Sequence, residues 1–127
     1  MSNIITAGAA LALSGVGVNV SASQQNISVA QTGNKYVEQI VLTSTTAGGT
    51  AIPVSNLANL GFMLIQNLDT LNYVDVMTGT TGAGGVAFAR LMPGDPPFLF
   101  RWTAGITAPA LLAHGAAALV SILMMEN

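Results

Sequence analysis

Phe62–Met77 reads FMLIQNLDTLNYVDVM, and its first four residues, Phe62 to Ile65, form an unbroken apolar run of strand length, expected to be buried on both faces. Asn67-Leu68-Asp69-Thr70-Leu71-Asn72 follows, where Asn and Asp side chains can bond backbone amides two residues on and hold a reversal. Beyond the reversal, Val74 and Val76 share one face of a second strand and Asp75 takes the other, the solvent side. A strand, a turn held by its own side chains and a returning strand make an antiparallel unit.

Toward the C-terminus the same grammar recurs. Thr78–Gly85 (TGTTGAGG) is a loop, and Val86 to Leu91 is the next strand. Met92-Pro93-Gly94-Asp95 carries Pro and Gly at the two central positions of a type II turn, and Pro96-Pro97 keeps a helix from starting. Phe98, Phe100 and Trp102 then face one way and Leu99 and Arg101 the other, the spacing with which a strand fills a core. Ala110 to Ala113 and Ala118 to Met125 read as the last two strands, with His114-Gly115 between them, although the alanines of 113–118 favour helix locally.

Toward the N-terminus, Ser55 to Leu60 (SNLANL) is expected to form a short helical turn capped by Ser55. Tyr36 to Thr43 is rich in β-branched residues, and the loop Ser44–Thr50 (STTAGGT) ends it. Val16, Val18, Val20 and Ala22 alternate with polar or small residues, as do Ile27 and Val29, and the two runs suggest one hairpin. About seven to nine short strands with regular turn signals describe an all-β protein, an antiparallel β-sandwich of jelly-roll-like kind. Residues 1–15 are expected to be an extended N-terminal arm and 16–127 a single sandwich domain.

Composition narrows the function. The chain has 127 residues, three Lys or Arg, five Asp or Glu, one His and no Cys. The charged fraction is 6% against a hydrophobic fraction of 51%, where soluble domains usually carry roughly 25% charge. Lys35, Arg90 and Arg101 are too few to neutralise a run of phosphates, so nucleic acid is not an expected partner. Ile4 to Val20 has no basic residue before it, and Ala108 to Met125 contains Pro109, His114, Gly115 and Ser121; neither reads as a signal peptide or a membrane span. Residues 2–34 hold no ionisable side chain and residues 102–125 only His114. A surface so poor in charge is expected to be covered by other protein, in a homo-oligomer or a larger assembly.

Chemistry is sparsely provided. The one imidazole, His114, stands in Leu-Leu-Ala-His-Gly-Ala-Ala with no nucleophile elbow in the chain, and it reads as a polar turn residue. Asp69 with Asp75 or Asp95 are the only carboxylate pairs in a common region, and each has a simpler reading in a turn or on a strand face. No metal-ligand spacing is present, and the glycine loop at 79–85 lacks the Gly-Lys-Ser/Thr of a phosphate cradle. No catalytic residue, cofactor or metal is expected.

The succession Gly61-Phe62-Met63-Leu64-Ile65-Gln66-Asn67-Leu68-Asp69-Thr70-Leu71-Asn72-Tyr73-Val74-Asp75-Val76, then Ala89-Arg90-Leu91-Met92-Pro93-Gly94 and Phe98-Leu99-Phe100-Arg101, resembles small structural proteins encoded by tailed bacteriophages. The resemblance spans about residues 60–126 and rests on the order and spacing of its motifs. It implies a virion component: a decoration or cement protein that stabilises the head through noncovalent contacts with the major capsid protein and with its own copies, typically as a trimer. Neck, tail or fibre components are the alternative, including a receptor- or carbohydrate-binding module, for which Tyr36, Tyr73 and Trp102 are the aromatic candidates. The interface residues expected from the apolar N-terminal arm are Ile4, Ile5, Leu11, Leu13 and Val16.

Overall fold

The computed structural model describes residues 35–79, 85–103, 106 and 108–126, together with the backbone of two strands nearer the N-terminus. Those two strands, β1 (Asn3–Gly15) and β2 (Val18–Gln31), pair antiparallel as a two-stranded ribbon. The chain forms two compact units, Met1–Thr32 and Gly33–Asn127, so the boundary expected after residue 15 falls inside the first unit, between β1 and β2.

The ribbon corrects one local expectation. Residues 18–22 and 27–29 do not pair with each other; both lie on β2, opposite β1, and residues 16 and 17 lie outside the described residues. The register slips between Ala7 and Ala9, where Gln25 and Asn26 stand against Gly8 alone. The apolar alternation of β2 changes phase at that point, from Val18, Val20 and Ala22 to Ile27 and Val29. A bulge supplies the one extra residue that such a phase change needs. Leu13↔Val20, Leu11↔Ala22, Ala7↔Ile27 and Ile5↔Val29 therefore all fall on alternate pairs of the ribbon.

The second unit is a sandwich of eight strands: β3 (Tyr36–Leu42), β4 (Thr50–Ala51), β5 (Leu60–Asn67), β6 (Val74–Met77), β7 (Ala87–Leu91), β8 (Phe98–Arg101), β9 (Ala110–Ala113) and β10 (Leu119–Glu126). Its pairing is nested: β3 with β10, β4 with β9, β5 with β8 and β6 with β7. That is one long antiparallel ribbon folded upon itself. The further pairs β10–β5 and β9–β6 gather it into a first sheet of order β3-β10-β5-β8 and a second of order β4-β9-β6-β7. This is the jelly-roll arrangement the strand count suggested.

Between the sheets lies one core. The first sheet contributes Val37, Met63, Ile65, Val120, Ile122, Met124 and Trp102, and the second Val74, Val76, Leu91, Leu111 and Ala113. Of this aromatic row, Trp102, just past β8, is a buried member of the core and Phe100 packs against it. Phe98 is exposed and Phe100 half-buried, and Phe88, the residue left over in the irregular β6–β7 register, lies edge-on to Phe100 and Trp102 at 5.2 and 5.3 Å. Trp102 is buried, and its Nε1 has no hydrogen-bond partner among the described residues.

The turns follow the sequence closely, with one correction, at Ser55–Leu60. Asp69 accepts hydrogen bonds from the amides of Leu71 and Asn72, both at 2.7 Å. Asn67 is buried, accepts from the Asp69 amide and donates to the carbonyls of Asn72 and Leu91, tying the reversal to β7. Gly94 has φ +79°, as a type II turn requires, and the Asp95 amide donates to the Met92 carbonyl. Ser55–Leu60, by contrast, is not helical: the Leu57 amide closes a turn on the Val54 carbonyl and β5 begins at Leu60. Nor do the alanines of 113–118 form a helix, because Gly115 at φ +94° turns the chain between β9 and β10. Local propensity yields here to pairing in the sheets.

Candidate functional site

The feature that separates this sandwich from an ordinary one is the outer face of its first sheet. A sheet with one face on a core normally shows water the polar half of its alternation. Here the outward half is mostly apolar too, with Glu38, Ser121, Gln66 and Arg101 as its polar members. Register arranges the outward residues in rows across the strands: Leu42, Leu119 and Leu68; Ile40, Ser121 and Gln66; Glu38, Leu123, Leu64 and Leu99; and, where the β10–β5 register slips so that Met125 stands against both Phe62 and Gly61, Tyr36 with Met125 and Phe62 with Arg101. Tyr36, Ile40 and Leu42 are 66%, 65% and 64% exposed, Leu119 46%, and Leu64 and Leu99 each 37%. The Arg101 guanidinium lies over the Phe62 ring at 5.4 Å, its stem along the apolar surface.

The expectation that Phe62 to Ile65 is buried on both faces is therefore corrected. Met63 and Ile65 are fully buried, while Leu64 and, partly, Phe62 look outward. The run is continuous because the two sides of β5 have different apolar surfaces to serve. A short apolar run does not by itself say whether its second face meets the same molecule or another.

The second sheet presents a polar cluster instead. Asp75 is 6% exposed, not on a solvated face as the sequence suggested. Its Oδ1 accepts from Arg90 Nε at 2.8 Å and its Oδ2 from Arg90 Nη2 at 3.2 Å, a bidentate pair between β6 and β7 at directly opposed register positions. His114 Nε2 lies 2.9 Å from Asp75 Oδ2, its ring stacks on Tyr73 at 4.4 Å, and Arg90 sits over the Tyr73 ring at 4.2 Å. Arg90, by hydrogen bond above all, holds the Asp75 carboxyl below the usual carboxylate range, and Asp75 in turn raises Arg90. Asp69 is lowered as well, first by the amide of Asn72 and then by that of Leu71.

The geometry resembles the orienting half of a hydrolytic triad, but the chemistry stops there. Among the described residues, no Ser or Thr hydroxyl hydrogen-bonds to His114, and no group of three or more His, Asp or Glu side chains is placed to hold a metal ion. The arrangement cross-links three strands, β6, β7 and the end of β9. Asp95 accepts from the Met92 amide within its own turn and lies apart from the Asp75 cluster in this bonding pattern. Sequence reasoning missed the cluster because its partners stand 15 and 39 residues away from Asp75.

Of the expected interface residues, Ile4, Ile5, Leu11 and Leu13 lie on β1, opposite Ala30, Val29, Ala22 and Val20, and Val16 lies outside the described residues. No helix among the described residues is long and apolar enough to cross a membrane. No protein-family model, characterised protein or solved structure matches this chain.

Proposed function

We propose that this protein is a non-catalytic structural component of a tailed-phage virion: a decoration or cement protein that strengthens the head by noncovalent contact with the major capsid protein and with its own copies, a trimer being the form the sequence resemblance favours. The observation that carries the assembly part of this reading is the apolar outer face of the first sheet. Exposed leucine, isoleucine and tyrosine in rows across four strands, with few charges among them, is the character of a surface that another protein covers. The jelly-roll architecture agrees with it only by analogy of fold, since capsid domains and unrelated lectins share that architecture. The virion itself is proposed from the sequence resemblance.

A carbohydrate-binding fibre module is less well served. Such a module presents open aromatic faces, whereas Trp102 is buried and Tyr73 carries both His114 and Arg90 against its ring, leaving Tyr36 as the open one of the three.

Mixing the purified full-length chain with phage heads stripped of accessory proteins, then counting bound copies after sedimentation, tests the proposal. Saturable binding that changes little between low and high salt is expected, because apolar burial is not screened. Absence of binding would contradict it. Leu11→Asp and Leu13→Asp test the N-terminal expectation separately: unchanged occupancy in both removes β1 from the contact.

A further inference from the structure

We infer that the outer face of the first sheet pairs two copies of this chain, stacked face to face about a two-fold axis parallel to the strands. The inference rests on the assembly reading above for the role of the pair, while the pairing itself is argued from the face alone.

Strands β10 and β5 are the inner two of the sheet and β3 and β8 its edges. A two-fold parallel to the strands exchanges β10 with β5 and one edge with the other, and it keeps every row at its own level. Leu119 then meets the partner's Leu68, Ser121 the partner's Gln66, Leu123 the partner's Leu64, and Met125 the partner's Phe62. On the two inner strands three of the four rows bury apolar against apolar, while at the edges Glu38 lies over the partner's Leu99. The fourth brings a hydroxyl to a side-chain amide, so the polar groups in the middle of the face find each other instead of being buried unsatisfied.

Charge agrees with the rows. Glu38 stands on the β3 edge and Arg101 on the β8 edge, in adjacent rows. The same operation lays Tyr36 over the partner's Arg101 and sets Glu38 one row from it, at both edges at once. A two-fold perpendicular to the strands would invert the rows and place Ser121 and Gln66 against leucines. A self-complementary face of this kind is what an isologous contact requires, and it is the reason to choose a second copy over an unrelated partner. Rings of three would need another surface, so this contact joins copies two by two whatever else the assembly does.

Size sets its strength. Four strands about 4.8 Å apart and some seven residues long cover roughly 19 by 24 Å, about 450 Å² of flat area on each copy. That is below the roughly 800 Å² per partner of a standard interface, so the pair is expected to dissociate on dilution.

Solution mass across a dilution series of the full chain is the test, with thermal unfolding run alongside to show that each variant folds. Wild type is expected to contain an even number of copies at high concentration. Leu64→Lys, in the middle of the face, is expected to halve that mass; Ile40→Lys, on the well exposed edge, does the same if Leu64→Lys fails to fold. Glu38→Arg should weaken pairing about tenfold, and adding Arg101→Glu should restore most of it, a rescue that a loss of folding would not show. A wild type of single copies at every concentration, or a mass unchanged in both lysine variants, overturns the inference. Pairing without any binding to heads supports it while removing the virion reading, and heads occupied by a chain that never pairs does the reverse.

Discussion

The first sheet shows Ile40, Leu64, Leu99 and Leu119 to the outside, where the second shows Asp75 bonded to Arg90 and His114. Their inner faces are alike in being apolar, the first built of Val, Ile and Met and the second of Val, Leu and Ala. Folding constrains the inner residues of the two sheets equally, whereas nothing in the folding of one copy asks for leucine on an outer face. The outer difference is therefore where function is written. The second sheet places its own ion pair and stacked rings on its outer surface, whereas the first leaves apolar side chains exposed there, the face on which the proposed contact is placed.

Large changes should treat the two inner faces alike. Met63→Ala in the first sheet and Leu111→Ala in the second both empty fully buried sites, and each is expected to cost about 2–5 kcal/mol in denaturant unfolding. A much smaller loss at either site would break the equivalence.

Next in size is the polar cluster. Asp75→Ala removes the shared acceptor of Arg90 and His114 and should cost about 1–3 kcal/mol, with Arg90 recovering part of its hydration at the surface. The same residue sets an acid limit. Because the native Asp75 carboxyl is lowered by Arg90, its contribution is complete above the unfolded value of 3.8 and is lost as pH falls from there through the native value. Asp75→Asn should flatten the acid limb of a stability–pH curve. An unchanged limb would show that the ion pair adds nothing to folding.

Gly94→Ala puts a side chain at φ +79° with no atom near its Cβ, so only the backbone penalty of about 1 kcal/mol is expected. Ile40→Thr, on the first sheet's outer face, should change the unfolding free energy of the separated chain by no more than about 0.5 kcal/mol while weakening association. That split, folding untouched and assembly reduced, sharpens the contrast between the sheets most.

Much of this was legible in the sequence, for identifiable reasons. Asn67, Asp69, Pro93 and Gly94 act through bonds or dihedral angles within a few residues, so their turns can be read locally. Richness in β-branched residues over 36–43 and alternation over 98–102 marked two of the strands. The nested pairing joins residues such as Val37 and Met124, which no local pattern connects. The outer face left a signal that went unread: Tyr36, Ile40 and Leu42 are apolar at the same period as the inward Val37 and Val41, so β3 was apolar on both sides from the start. Charge is absent from the N-terminal arm, and absence of charge marks burial without saying in what. Asp75 was misplaced for the converse reason, since a carboxylate on a strand is read as solvated until its arginine is seen on the next strand.

Hydroxyl-radical footprinting of Tyr36 and Tyr73 in the dilute chain and in the assembled state tests the central claim most directly, one tyrosine reporting each sheet. Tyr36 is expected to be strongly labelled when dilute and protected on assembly, with Tyr73, already under Arg90 and His114, labelled equally in both. Tyr36 labelled as fast in the assembly as in the separated chain would contradict the assignment of the first sheet's outer face as the contact surface.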